Sequence, residues 1–409
     1  MLDYDYLIVG AGFAGLVSAE RLCNELGARC LVVDKRTHIG GNAADEYDDH
    51  GVLLHTYGPH YFRTNSEKVR EYLSRFTEWH PVEYKILAHT HGRYWNFPVN
   101  LNTFEQFLGR PSNTEEMEAW IEKHRIPTDN PANSEEVILS QIGPEFYELF
   151  FKGYTMKQWK RHPRELDASV CGRIPIRTNR DDRYLREEFQ ALPRAGYSAM
   201  FRRIVASCGE RLTLMLNEDY RVVLPHIRYK HLIFTGPIDE FFDYCHGRLP
   251  YRSLRFERKS FTAEQLATLQ PSHPATSSHN EARRANSDQP STFFPPPGFY
   301  QPAMQVNFPN DHDFTRIVEI KHATGQATTN TTIVREFPDD YAPGKEAYYP
   351  VPTPDSSALY KKYKEMADAT PRTSFIGRLA TYRYYNMDQV VGMALAEFDR
   401  LARSTLRVS

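Results

Sequence analysis

An α/β fold opened by a β-α-β unit is what this sequence predicts, and three observations carry the prediction. Tyr6-Leu7-Ile8-Val9 is a short, uniformly apolar run ended by Gly10, the pattern of a strand buried on both faces. Residues 14–26 place Leu16, Ala19, Leu22 and Leu26 at helical spacing before Gly27 stops the run. Cys30-Leu31-Val32-Val33 is a second buried strand, ended by Asp34.

Downstream the pattern changes several times. Residues 52–100 are β-rich, and His91-Gly92 between two aromatic or apolar runs predicts a hairpin. From Thr103 to about Trp159 the spacing is helical, with Ser134 as an expected N-cap and Glu135 and Glu136 facing the positive helix end. Pro144 is expected to open a further helix carrying Phe146, Leu149 and Phe150. Residues 211–260 return to strands, including His231-Leu232-Ile233-Phe234-Thr235 closed by Gly236-Pro237. Residues 262–303 are rich in Pro, Ser, Thr, Asn and Gln and read as a weakly structured surface insertion. Strand-like pieces at 315–321 and 331–336 follow, then a helix near 357–369. A strand at 373–377, a loop to Met387 and a helix to about Arg403 close the chain.

Composition bounds the function. The chain has 409 residues, 41% apolar and 25% charged, which suits a soluble protein of two or three structural units. Fifty Lys and Arg against 52 Asp and Glu leave a net charge of −2, so no global basic field exists to hold a nucleic acid. Cys23, Cys30, Cys171, Cys208 and Cys245 lie far apart without a CxxC, which argues against a disulfide framework or a zinc site and for a reducing compartment. His89 and His91 read as surface residues rather than metal ligands. The chain start lacks a basic leader and no apolar run reaches ~18 residues, so a cytoplasmic protein without a membrane span is expected. Aromatic residues make up 13%, with 25 Tyr and 24 Phe, a surplus that serves either stacking sites or core.

Gly10-Ala11-Gly12-Phe13-Ala14-Gly15 is a G-x-G-x-x-G between the first strand and the first helix. Gly10 permits the tight turn, Gly12 lets backbone approach a pyrophosphate, and Gly15 permits close helix–strand packing. Asp34 stands where an acid accepts from a ribose hydroxyl, so dinucleotide binding is expected. The following Gly40-Gly41-Asn42-Ala43 resembles the extended FAD fingerprint of glutathione-reductase-type flavoproteins, and Gly377-Arg378 before the helix at Met387-Asp388-Gln389 resembles their C-terminal flavin motif. Motifs at both ends imply a discontinuous Rossmann-like FAD domain. The expected divisions are 1–78, 194–245 and 370–409 for that domain and 101–165 for a small helical domain. The remainder, 79–100, 166–193 and 246–369, is expected to form an antiparallel β-sheet domain.

The intervening blocks, outside the insertion, resemble the UDP-galactopyranose mutase family. They include Tyr57-Gly58-Pro59-His60-Tyr61-Phe62, Phe97-Pro98-Val99-Asn100 and Lys152-Gly153-Tyr154-Thr155-Met156-Lys157-Gln158-Trp159. Arg173-Ile174-Pro175-Ile176-Arg177, Tyr348-Tyr349-Pro350-Val351 and Tyr382-Arg383-Tyr384-Tyr385-Asn386-Met387-Asp388 follow in the family's order. Phe234 stands where tyrosine is common in the family, and Arg63 and Lys160 are further departures.

The resemblance implies an isomerase that needs reduced FAD. Flavin N5 attacks the anomeric carbon of UDP-galactopyranose, UDP leaves, an iminium forms, and the ring recloses as the furanose without net redox change. Arg173 and Arg316 match the diphosphate-binding arginines, and His60 a histidine near the flavin. Tyr154, Thr155, Gln158, Trp159, Tyr184, Asn307, Tyr348, Tyr349 and Tyr385 match substrate-side positions, although only one of the adjacent pair Tyr348 and Tyr349 should face the site. Gly10, Gly12, Phe13, Ala14, Gly15, Asp34, Lys35, Gly41, Asn42, His60, Gly236, Arg378, Met387, Asp388 and Gln389 are expected at the cofactor, and no metal is expected. Residues 161–186 match a mobile lid over the substrate. UDP-galactose as substrate, a reductant such as NAD(P)H and a homo-oligomer are the implied partners. A mutase of another nucleotide sugar, linked to dTDP or GDP, and a flavin-dependent oxidoreductase stay open.

Overall fold

The computed structural model describes residues 2–269, 293–342 and 344–406. Its first layer is a five-stranded parallel sheet in the order Leu212–Leu216, Cys30–Asp34, Leu2–Val9, Ile227–Phe234, Thr373–Phe375. Met215, Val33, Val9, Phe234 and Phe375 stand in one row across it, and every strand ends at that row or one residue beyond. Parallel strands that stop together leave a crevice at their carboxyl ends, where open α/β sheets bind ligands. The helix Phe13–Glu25 covers one face, burying Leu16, Val17, Ala19 and Leu22 against Phe201 and Ile204 and against Val391, Ala394 and Leu395 of the last helix, Met387–Leu406.

The second layer is a seven-stranded mixed sheet, ordered Tyr349–Pro350, Tyr251–Phe261, Thr331–Asp340, Arg316–Val318, Gln305–Asn307, Ile86–Thr90, Arg93–Phe97. Its pairs are antiparallel except Gln305–Asn307 against Ile86–Thr90, so the expectation of a purely antiparallel sheet is corrected at that one seam. The predicted hairpin forms: His91 and Gly92 both take positive φ, 52° and 73°, the backbone of a two-residue turn that follows strand twist. Phe62–Thr64, Phe189–Pro193 and Trp79–Pro81 make a small three-stranded sheet. His89 is packed between Tyr94 and Phe308 rather than lying on the surface.

Helices Leu101–Leu108, Thr114–His124, Ser134–Phe146 and Gly153–Trp159 form a third unit around Phe104, Ile138, Phe146 and Phe151. The N-cap expected at Ser134 is Asn133, whose side chain accepts from Glu136 N–H. Ser134 is the first helical residue and its hydroxyl donates to Asp167 O at 2.6 Å. Gly143 breaks the helix with φ 79°, where an added Cβ would lie 2.8 Å from the His124 carbonyl oxygen, and Pro144 restarts it. A π-helical turn, Tyr147–Lys152, then joins it to Gly153–Trp159.

The flanks of the 262–303 stretch are not weakly structured. Ala263–Leu269 is a helix that buries Leu266, and Phe293, Tyr300 and Ala303 pack on the same apolar cluster. Gln301 is buried and donates to the carbonyls of Ala303, Met304 and Ile317. These apolar side chains were hidden in a polar composition; residues 270–292 lie outside the described residues.

Gly15 sits where an added Cβ would lie 1.8 Å from the Gly10 carbonyl oxygen, whereas Gly27, at φ 63°, has open space. Gly15→Ala is expected to lose about 3 kcal/mol or more of stability. Gly27→Asn, a residue that tolerates left-handed backbone, is expected within about 0.5 kcal/mol of the parent. Denaturant midpoints of the two variants check the contrast.

Candidate active site

A cavity of 240 Å³ opens at the carboxyl edge of the parallel sheet. Gly10, Gly12, Phe13 and Ala14 form its floor, with Asp34, Lys35 and Arg36 on one side and Gly236, Arg378 and Met387 on another. Gly10 holds φ 107°, and a Cβ there would strike Thr235 Oγ1 at 2.1 Å. Gly41 brings its backbone onto Gly12, since its Cβ would lie 3.1 Å from Gly12 Cα. The helix above this floor starts at Gly12 with no side-chain cap and no acid in its first turn. Its free N–H groups and positive dipole end therefore face the cavity unneutralised. Asp34 is held by backbone, Oδ2 accepting from Ala11 N–H at 2.7 Å and Oδ1 from Arg36 N–H at 2.9 Å, and each oxygen keeps accepting capacity. A glycine floor, an uncapped helix and a fixed carboxylate fit a dinucleotide.

His60 also lines the cavity. Burial, aided by the neighbouring His55, drives its pKa down to about 3, so the ring is neutral. Its Nδ1 lies 2.8 Å from Gly58 O, which assigns the proton to Nδ1 and leaves Nε2 as an acceptor. At the outer rim Arg36 pairs with Glu346 (Nη2 to Oε2, 2.5 Å), donates to Asn42 at 2.7 Å and lies over the Tyr57 ring.

A second recess is built on the mixed sheet. Paired residues on neighbouring strands point the same way, so Phe256, Glu336, Arg316, Asn307 and Ala88 form one row. Arg316 Nη2 donates to Glu336 Oε1 at 2.6 Å, while Arg316 Nε and Glu336 Oε2 are buried without partners. A Cβ on Gly58 would lie 3.2 Å from Glu336 Oε2, so the turn bearing His60 rests on this carboxylate and joins recess to cavity. Tyr154, Tyr349 and Tyr84 surround the Arg316 guanidinium. Arg173, just past the helix Ser169–Gly172, lies 4.5 Å over the Tyr384 ring. Arg378 lies 5.2 Å from the same ring, and Tyr384 stacks on Tyr349 at 5.1 Å.

Three guanidinia therefore meet with one carboxylate, Glu336; among the described residues neither Arg173 nor Arg378 has a carboxylate partner. An uncompensated positive recess floored by tyrosine hydroxyls is chemically complementary to a diphosphate. The charge shows in Tyr384: desolvation pushes its phenol up, but Arg173, then Arg378 and Arg316, hold it below the ordinary tyrosine range.

A family model described as UDP-galactopyranose mutase matches residues 149–271 and 292–384, and one described as an NAD(P)-binding Rossmann-like domain matches 8–76. A probable UDP-galactopyranose mutase of Klebsiella pneumoniae is 34% identical, over 99% of this chain and 96% of its own. The chain belongs to the UDP-galactopyranose mutase family. Within the family it is also 31% identical to a dTDP-fucopyranose mutase of Escherichia coli, over 95% of this chain and 96% of that one. The crystal structure of a reduced UDP-galactopyranose mutase superposes with a TM-score of 0.73 at 17% identity, covering 98% and 94% of the two chains, which is a likeness of fold. Membership implies a flavin cofactor.

Not every residue the mutase family resemblance suggested is brought to these two recesses. Of the cofactor set, Gly15, Asp388 and Gln389 do not line the cavity. Gly15 serves packing, Asp388 is half-buried beside Thr64, and Gln389 Oε1 accepts from Asn386 N–H. Tyr154, Tyr184, Tyr349 and Asn307 gather around Arg316 and Arg173. Tyr348 packs on Tyr57 and Phe256, whereas its neighbour Tyr349 stacks on Tyr384 beside Arg173. Tyr385 is corrected: its hydroxyl accepts from Arg383 at 3.2 Å, and the tyrosine beside Arg173 is Tyr384. Trp159 is buried in the helical core, and Thr155 faces Cys171 Sγ at 3.6 Å. Gln158 keeps a buried Oε1 without a partner. Residues 161–186 lie docked, Arg180 on Glu105, Tyr184 N–H on Tyr84 O, Asn179 O on Leu101 N–H.

Sequence reasoning missed Glu336, Tyr84, Arg36 and Glu346. Only Glu336 left a signal, as half of a charged pair inside the apolar run Ile333-Val334-Arg335-Glu336-Phe337. An alkaline spectrophotometric titration is expected to show one tyrosinate forming below the ordinary tyrosine range. Tyr384→Phe removes that step and Arg173→Met moves it upward.

Proposed function

We propose that this chain interconverts UDP-galactopyranose and UDP-galactofuranose with reduced FAD bound in the cavity. The observation that carries the reading is the meeting of Arg173, Arg316 and Arg378 around Tyr349 and Tyr384, one turn of chain away from a dinucleotide cradle. Gly10, Gly12, Phe13, Ala14, Gly41 and Asn42 would hold the pyrophosphate, Asp34 and Lys35 the ribose, and His60, Gly236, Arg378 and Met387 the remainder. Reduced FAD, when bound, supplies the nucleophile for the anomeric carbon.

The chain's own residues act on the leaving group and the solvent. Arg173 and Arg316 take up negative charge as the diphosphate departs, a stabilisation that grows along the reaction because the guanidinia are already fixed by protein. Tyr349 and Tyr384 donate hydroxyl hydrogens to phosphate oxygens, which requires neutral phenols. Neutral His60 accepts a hydrogen bond at Nε2 and adds no positive charge beside the cofactor. Residues 161–186, carrying Arg173, close over the bound nucleotide sugar and exclude water. Tyr154 and Asn307 border the space left for the nucleoside and sugar. Five cysteines free of disulfides support a reducing, cytoplasmic setting, where an NAD(P)H-type reductant is at hand. Among the described residues no helix is long and apolar enough to cross a membrane.

A second reading keeps this chemistry with dTDP-fucopyranose, favoured by the near-equal identity to that Escherichia coli mutase. An amine-oxidising function fits less well, because such a substrate has no use for unpaired guanidinia. Dithionite-reduced protein is expected to turn UDP-galactofuranose into the pyranose on chromatography, while the oxidised protein does not. Faster turnover of dTDP-fucofuranose would decide for the second reading, and no mutase turnover in either case would sink both. Arg173→Ala, and Arg316→Lys, which keeps a charge beside Glu336 but loses the guanidinium fork, are each expected to lower kcat/KM by about 100-fold or more with the flavin spectrum retained.

A further inference from the structure

Lys157 belongs to none of the roles above, yet it is the most heavily bonded lysine near the recess. It sits on the helix Gly153–Trp159, three residues after Tyr154. Its ammonium, with three N–H donors, lies within hydrogen-bond distance of four backbone carbonyls of one loop: Phe308, Asp311 at 3.0 Å, His312 at 3.2 Å and Phe314 at 3.1 Å. That loop is the connection between Asn307 and Arg316, which face each other across the Gln305–Asn307 and Arg316–Val318 pair. His312 takes φ 61°, and the rings of Phe308, His312 and Phe314 pack on one another. Both features fold the loop back on itself so that its carbonyls converge. Among the described residues Lys157 has no carboxylate within ion-pair distance. Burial lowers its pKa to about 8, with Asp311 and Asp313 opposing, so the ammonium is the form present at neutral pH. The carbonyl dipoles favour the charge further.

A second tether joins the same loop to the π-helical turn that precedes this helix. Asn310 Nδ2, with two hydrogens to give, lies within hydrogen-bond distance of Leu149 O at 3.0 Å, Thr90 Oγ1 at 3.1 Å and Glu148 O at 3.4 Å. Glu148 and Leu149 lie in the π-helical turn, where the hydrogen-bond ladder is displaced and carbonyls are left for outside donors. Gly153 makes the approach possible, since a Cβ there would lie 2.4 Å from Asn310 Oδ1 and 2.7 Å from Pro309 O.

We propose that Lys157 is a positioning residue: by holding the 308–314 carbonyls it fixes the start of the Arg316 strand against the helix that carries Tyr154, and so sets the guanidinium where a nucleoside diphosphate binds. The proposal rests on the nucleotide-sugar reading for its ligand, but the tether itself is independent of it. Lys157 touches neither recess; it acts through Arg316.

UDP binding and hydrogen exchange of the 305–318 segment test the proposal in the FAD-loaded protein. Lys157→Met is expected to weaken UDP binding about tenfold or more, as the guanidinium loses its fixed place, and to raise KM for the nucleotide sugar more than it lowers kcat. Exchange in residues 305–318 is expected to quicken while the flavin spectrum stays unchanged. Lys157→Ala leaves a carbonyl-lined hole, so added ethylammonium, but not choline, is expected to restore most of the affinity. A general loss of folding would not be rescued in this way. Asn310→Ala, which leaves the ammonium in place, is expected to show the same changes to a smaller extent, and serves if the lysine variants do not fold. UDP affinity within twofold of the parent in Lys157→Met, or absence of ethylammonium rescue, overturns the proposal while leaving the mutase reading intact. Failure of the parent protein to bind UDP overturns the mutase reading instead; unchanged exchange at 305–318 in Lys157→Met would then still overturn the tether.

Discussion

The Arg316–Glu336 pair is the interaction on which the rest of the site depends. Glu336 is fully buried and shares one oxygen with Arg316, so each charge is tolerable only because of the other. Replacing either partner alone would strand a charge in the interior. The pair also has neighbours on both sides: Gly58 and the His60 turn rest on the carboxylate, while Tyr154, Tyr349 and Tyr84 enclose the guanidinium. One ion pair thereby sets the distance between a neutral imidazole at the cavity and the positive recess. The orphaned atoms, Arg316 Nε and Glu336 Oε2, are the cost of that arrangement and keep the guanidinium able to bond an incoming acceptor.

Two kinds of information about this site lie in the chain. Local features were legible in the sequence: the glycine floor, Asp34, the His91-Gly92 turn and the last strand–turn–helix are short-range consequences of backbone sterics and periodicity. Long-range pairings were not. Arg36 and Glu346 are 310 positions apart, and no local pattern announces that they meet at the cavity rim. Tyr385 was assigned from the family resemblance in a run of adjacent tyrosines, and only the fold shows that its neighbour Tyr384 is the one beside Arg173. The capping error at Ser134 has the same scale: Asn133 and Ser134 are both good capping residues, and only the contact of Ser134 with Asp167 O decides between them. The resemblance to the family carried the arginines, and the fold was needed to show that Arg378 faces the recess as well as the cavity.

Aromatic residues, conspicuous in the composition, divide between these purposes. Tyr154, Tyr184, Tyr349 and Tyr384 border the recess, and Tyr61 and Tyr84 stack at 4.3 Å beneath it. Trp159, Phe104, Phe146 and Phe151 are core. A ring is useful at the recess because it offers a stiff apolar wall with a polar tip, so hydroxyls stay in place without the entropy loss of a longer donor.

The parallel sheet described above has a consequence for how the protein is made. Its central strand is the first to be synthesised and its edge strand, Thr373–Phe375, nearly the last, with Gly377, Arg378, Met387 and Val390 closing the cavity afterwards. During synthesis the glycine floor and Asp34 emerge early and wait with an open crevice and an unneutralised helix end. The cavity lining is therefore complete only once the last strand, turn and helix have folded onto the sheet.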